Sequence, residues 1–181
     1  MTRPSSISTA LGAAAAFAQS PLKDRHVVLI SIDGFAAYSL QDPNLPVPNV
    51  RKLINNGVAA EGMQVVNPAV TWPNHTSMVT GVYPAKHSVL YNGLPVRSGD
   101  TWKIEPWVDK PELVKAPTLY DVAHEAGMTT AEVDWVAIHN AKTITWTFPE
   151  RPRLTDPIVK EMIEAGTVTA DTITNFARLP I

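Results

Sequence analysis

The chain has 181 residues, 45% of them apolar, which is enough for one domain with a real core and short for two. Its 15 basic and 17 acidic residues leave a formal net charge of −2 with no long run of one sign, so the electrostatic footprint of a nucleic-acid binder is missing and no such partner is expected. Cysteine is absent, which excludes disulfides, thiolate metal sites and cysteine nucleophiles.

The first residues, "MTRPSSISTALGAAAAFAQS", offer Arg3, a mildly apolar run from Ile7 to Ala18, and an A-x-A cleavage pattern at Ala16-Phe17-Ala18. Export to the periplasm or the medium with cleavage after Ala18 is the reading this supports, against a bland alanine-rich terminus. The run is too short and too weakly apolar to span a bilayer, and no transmembrane segment is expected. Next comes "HVVLISI", His26 to Ile32, an unbroken aliphatic and β-branched run closed by Asp33-Gly34. It predicts a strand buried on both faces of a parallel sheet. "NVRKLINNG" places Val50, Leu53 and Ile54 on one helical face with Gly57 as its stop, and "VAAEGMQVV" (58–66) is a second strand candidate.

In "TWPNHTSMVTG" Pro73 suits a first helical turn and Gly81 a stop. Arg97 to Lys115 reads as polar and irregular. "PTLYDVAHEAG" predicts a helix with Pro117 in its first turn and Gly127 as its end, and "MTTAEVDWVA" a strand; after Trp146 come a loop and two helical segments, "DPIVKEMIEAG" and "TADTITNFARL". Strands alternating with helices point to an α/β sheet with helices on both faces, whose ligands gather at the carboxyl ends of the strands. Asp33 stands at such an end, where a carboxylate can hold a divalent metal through oxygen, although an aspartate after a strand is often only a turn cap. Thr71 would face a helix N-terminus, with the unpaired N–H groups and positive dipole that bind phosphate. A plain helix cap is the competing reading for Thr71.

Three blocks taken together, "LISIDGF", "VPNVRKLINNGV" and "PAVTWPNHTSMVTGVYPAKHSVLYNG", resemble the N-terminal half of the type I phosphodiesterase and nucleotide pyrophosphatase family of the alkaline phosphatase superfamily, over roughly Val27 to Gly93. The resemblance implies an alkaline-phosphatase-like α/β sheet, incomplete at the C-terminus, with residues 19–181 as the N-terminal part of a catalytic domain. It implies that Asp33 binds zinc, that Thr71 is the nucleophile and also contacts metal, that Asn92 donates to phosphoryl oxygens, and that Trp72 helps stack a nucleotide base. Two zinc ions are expected in the complete enzyme, clamping a phosphodiester or nucleotide substrate while Thr71 attacks phosphorus. Departures from the family pattern include Ala36 where arginine is frequent and Ser88 where glycine is frequent.

The resemblance also implies further metal ligands, in P-D-x-x-G-H-like and D-H-G-M-like segments and one later histidine, and no such segments occur in the 181 residues. Asp171 has no histidine four residues on and reads as part of a solvated helix face. His75 and His87 are expected to support the motif rather than ligate. His26, His124 and His139 have no partner at ligand spacing, and Trp135, Trp146 and Phe148 are expected in the core or a pocket wall. Three readings follow. The first is metal-dependent hydrolysis of phosphodiester or pyrophosphate bonds through a phosphothreonine, with the 181 residues alone silent. The second is a non-catalytic fragment or binding module. The third is a phosphonate or phosphomonoester hydrolase of the same superfamily; a sulfatase is disfavoured, because threonine cannot yield its aldehyde hydrate.

Overall fold

The computed structural model describes residues 25–176, and the expected export signal lies outside them. The chain divides into a unit ending at Ile30 and a unit from Ser31 onward, and all the helices and strands below belong to the second. The aliphatic run before Asp33 differs from expectation. Residues 26–32 form no strand, and Val27, Val28 and Ile30 are 91%, 78% and 72% exposed. An interior strand needs a hydrogen-bonded neighbour on each side, and among the described residues none pairs with this one. Residues 58–66 likewise stay outside any strand.

Helices follow the sequence signals closely. Helix α1 (Pro48–Asn56) starts on Pro48, whose missing N–H costs nothing at a helix start, and ends at Gly57. Its stripe is only half covered, for Leu53 is 68% exposed. Helix α2 (Thr71–Thr80) ends on Gly81 at φ +67, the left-handed C-cap that glycine adopts without strain. Helix α3 (Pro84–His87) is one turn, closed by Ser88. Helix α5 (Leu119–Glu125) begins one step later than Pro117 suggested, because Thr118 and Asp121 form a reciprocal capping box. Between them, α4 (Lys110–Leu113) is a single turn. Helix α6 (Pro157–Glu164) buries Val159 completely, and α7 (Ala170–Phe176) carries an exposed Asp171.

The sheets are small. Strands β1 (Leu94–Ser98) and β2 (Thr101–Glu105) make an antiparallel hairpin, and β3 (Ala131–Val133) pairs in parallel with β4 (Trp146–Phe148). The doubly wound sheet is therefore present only as one short parallel pair among the described residues. The core sits around α2: Trp72, Val89, Leu113, Val114, Val136 and Ala137 pack together, with Leu94 and Val108 against them. This cluster fixes the start of α2 relative to the loops that follow β1–β2 and β3.

Candidate active site

Thr71 is the first residue of α2, and its side chain does not cap the helix. Its Oγ1 donates instead to Asp33 Oδ2 at 2.7 Å, across 38 residues of sequence. The loop before α2 is held from within the motif: Asn74 Nδ2 donates to the carbonyls of Pro68 and Val70, and its Oδ1 accepts the Val66 N–H at 2.8 Å. One asparagine thus satisfies three backbone groups that no ladder serves, and so sets the entry angle of Thr71. His75, one turn on, donates from Nδ1 to the Thr71 carbonyl at 2.8 Å and packs edge-on against Trp135, ring centroids 5.0 Å apart.

Asn92 reaches the same helix end. Its Oδ1 accepts the Trp72 N–H at 2.8 Å, which ties one orphan donor of the helix start and leaves Nδ2 as the donor end of the amide. Asn92 is set by Gly93, at φ +112, where an added Cβ would lie 2.5 Å from Ile104 Cγ2 and 2.8 Å from the Glu105 carbonyl oxygen. His87 is fully buried. Its Nδ1 accepts the Val89 N–H, so Nε2 carries the hydrogen and faces Ser77 Oγ at 2.9 Å; burial lowers its pKa and keeps the ring neutral.

A cleft of about 550 Å³ lies over these residues, the size of a small-molecule site, lined by Asp33, Thr71, Trp72, His75 and Asn92 together with Trp107, Asp134, Glu150 and Arg151. Trp72 is 8% exposed, so most of its ring serves the core; Trp107, 52% exposed, is the open ring of the cleft. Trp107, Asp134, Glu150 and Arg151 carried no signal as site residues. They lie in segments that read as irregular or as plain strand and loop, and only the fold brings them to α2. Asp134 holds φ +58, a left-handed conformation that aspartate tolerates better than most residues. Burial raises its carboxyl, and raises Glu150, which Asp134 raises further and Arg151 lowers. His139 finds a partner that spacing did not reveal, Asp109, 30 residues away.

Asp33 and Thr71 are hard oxygen donors of the type a divalent ion accepts. Among the described residues no group of three or more histidine, aspartate or glutamate side chains is gathered for a metal. The pair fits as part of a zinc ligand set and falls short of the three or four protein ligands that close one. Among the described residues no helix is long and apolar enough to cross a membrane.

Residues 27–178 match the family described as type I phosphodiesterase / nucleotide pyrophosphatase. Over 68 residues the chain is 40% identical to ectonucleotide pyrophosphatase/phosphodiesterase family member 3 of Mus musculus, covering 38% of this chain and 8% of that protein. Over 80 residues it is 39% identical to venom phosphodiesterase 2 of Crotalus adamanteus, covering 44% and 9%. The match to venom phosphodiesterase of Macrovipera lebetinus is 40% over 78 residues, 43% and 9%. The chain thus spans less than a tenth of the length of these relatives.

Proposed function

The chain belongs to the type I phosphodiesterase / nucleotide pyrophosphatase family, and on that premise we propose that it carries the nucleophile end of a metal-dependent hydrolase of phosphodiester or pyrophosphate bonds in nucleotide-type small molecules. The observation that carries this is the 2.7 Å bond from Thr71 Oγ1 to Asp33 Oδ2 at the N-terminus of α2. A threonine hydroxyl is a weak nucleophile near neutral pH and needs activation. Asp33 takes the hydroxyl hydrogen in a hydrogen bond, which leaves an oxygen lone pair for phosphorus. As the Thr71 oxygen bonds to phosphorus its proton passes along the hydrogen bond to Asp33 Oδ2 and the bond to the leaving oxygen breaks; water then cleaves the phosphothreonine. The amide Nδ2 of Asn92 and the N–H of Thr71 are the donors for the oxygen on which charge builds.

Zinc bound to Asp33 and Thr71 would supply the positive charge that makes the hydroxyl acidic enough to attack. Both ions of the expected pair belong to this proposal, as does export with cleavage after Ala18. The words "ectonucleotide" and "venom" in the relatives' names are in keeping with an exported protein. Trp72, as a substrate contact, offers only the part of its ring that lines the cleft. That no group of three or more such ligands gathers among the described residues favours a second reading, in which this chain binds substrate without turning it over.

Because the 181 residues alone are expected to be silent, hydrolysis of bis(nitrophenyl) phosphate with zinc is measured on the open reading frame through its stop codon, where it separates the two. Thr71→Ala is expected to lower the rate by more than about a thousandfold, since removing a nucleophile can cost on the order of a millionfold. A variant that keeps a large part of the rate, with unchanged circular dichroism, reduces Thr71 to a structural residue. Phosphate-competitive binding without any turnover establishes the second reading.

A further inference from the structure

Among the described residues Arg151 is the one arginine or lysine lining the cleft, among walls that also carry the carboxylates of Asp33, Asp134 and Glu150. Among the described residues its guanidinium makes no hydrogen bond and no ion pair within 4 Å; what holds it is the Trp107 ring, 5.7 Å from Cζ to the ring centroid. That distance is in the range of a cation–π contact, which orients the flat group while leaving its five N–H donors unclaimed. The ring has its own support. The His139 centroid lies 6.1 Å from that of Trp107, and His139 Nδ1 donates to Asp109 Oδ1 at 2.8 Å, an oxygen that also accepts from Asn140 Nδ2 at 2.7 Å. The His139 carbonyl accepts the Lys110 N–H at 2.7 Å, which ties this loop to the start of α4. An arginine at the end of a buttressed stack is fixed in direction before any ligand arrives, and less entropy is lost when it binds one.

Substrate chemistry decides what such a group meets. A phosphodiester carries one negative charge, and the Asp33–Thr71 end with its proposed metal answers it. A diphosphate substrate brings a second phosphoryl group into a cleft whose remaining walls are acidic, where only Arg151 can compensate it, and the planar guanidinium matches a pair of phosphoryl oxygens. We infer that Arg151, presented by Trp107, is the contact for the second phosphoryl group of a diphosphate substrate and sets the preference for diphosphates over simple diesters. This rests on the function proposed above.

The test measures binding of inorganic pyrophosphate and of orthophosphate, in metal-free buffer, by calorimetry on the full chain, on Arg151→Met and on Arg151→Lys. The expected result is tighter binding of pyrophosphate than orthophosphate by the unmodified chain. Arg151→Met should lose about tenfold or more for pyrophosphate and under about threefold for orthophosphate, as expected for one charge-assisted contact. Arg151→Lys, which keeps charge but not the planar fork, should fall between. No preference for pyrophosphate in the unmodified chain, equal losses for both anions in Arg151→Met, or no loss at all would each overturn the assignment. Trp107→Leu with the Met variant's pattern adds support for the stack, and Trp107→Leu with unmodified binding removes the stack from the account. Hydrolysis of bis(nitrophenyl) phosphate is followed in parallel with zinc. Its absence in the open reading frame through its stop codon tells against the function proposed above, while the pyrophosphate comparison still decides Arg151.

Discussion

Ser88 closes α3 at φ +69, is exposed, and stands where glycine is frequent in the family. A side chain in the left-handed region crowds its own carbonyl at about 1–2 kcal/mol, of which glycine's larger unfolded-state entropy returns about half. Ser88→Gly is therefore expected to stabilise the protein by about 0.5–1 kcal/mol, read as a higher urea midpoint, and a lower midpoint would contradict it. Gly93 is the opposite case. At φ +112 its missing Cβ lets the chain pass Ile104 and the Glu105 carbonyl, so Gly93→Ala should cost about 1–3 kcal/mol. The same substitution displaces Asn92 from the Trp72 N–H, so hydrolysis should fall by more than folding does; a rate loss matched by the unfolded fraction would speak against the role of Asn92. At this scale the sequence was informative. Thr71, Asp33 and Asn92 are brought to one place because the motif includes the residues that shape its own loop, such as Asn74.

Helix α5 and strand β3 each carry a carboxyl whose environment makes stability depend on pH. Burial pushes Asp121 up, but the Lys110 ammonium, Thr143 and the capping bonds to Thr118 outweigh it and hold the folded pKa at about 2 against 3.8 for the free group. Stability from this group is complete above about pH 4 and drains as pH falls through 2, by about 2 kcal/mol in all. Asp121→Asn should remove that acid limb. Glu132 shifts the other way: burial raises it from 4.5 to about 7, the Asp134 charge adds to this, and the Trp135 N–H and the Thr147 hydroxyl oppose it. Its contribution is complete below about pH 4.5 and is lost as pH rises through 7. Urea unfolding from pH 4 to 8 should show Glu132→Gln with a flatter profile than the unmodified chain, and parallel profiles would contradict the shift. Element by element, helices were legible because Pro48, Pro157 and the Thr118–Asp121 box act locally. The hairpin β1–β2 was missed although Gly99, at φ +62, and Asp100 form a two-residue turn. Its strands alternate poorly, with Trp102 66% exposed, so periodicity gave no warning.

For the molecule as a whole, the largest departure from the sequence reading is the run before Asp33. A row of aliphatic side chains encodes an interior strand, but burial needs neighbours, and pairing is a property of the assembled sheet that no local pattern carries. With Val27, Val28 and Ile30 exposed, the chain presents an apolar segment that pairs with no strand among the described residues, a route to self-association. Val28→Lys combined with Ile30→Lys is expected to reduce concentration-dependent light scattering, and unchanged scattering would place the association elsewhere. The cleft depends on the whole fold in the same way. Thr71 and Asp33 come from motifs, whereas Trp107, Asp134 and the adjacent pair Glu150 and Arg151 reach it from three other points of the chain, and their convergence could not be read before folding. For Thr71 as the attacking residue, the most direct measurement is mass spectrometry of the open reading frame through its stop codon, quenched during incubation with zinc and bis(nitrophenyl) phosphate: a nitrophenyl phosphoryl group on Thr71, with one nitrophenolate released and absent in Asp33→Asn, is the predicted result, and an unmodified Thr71 under those conditions would contradict it.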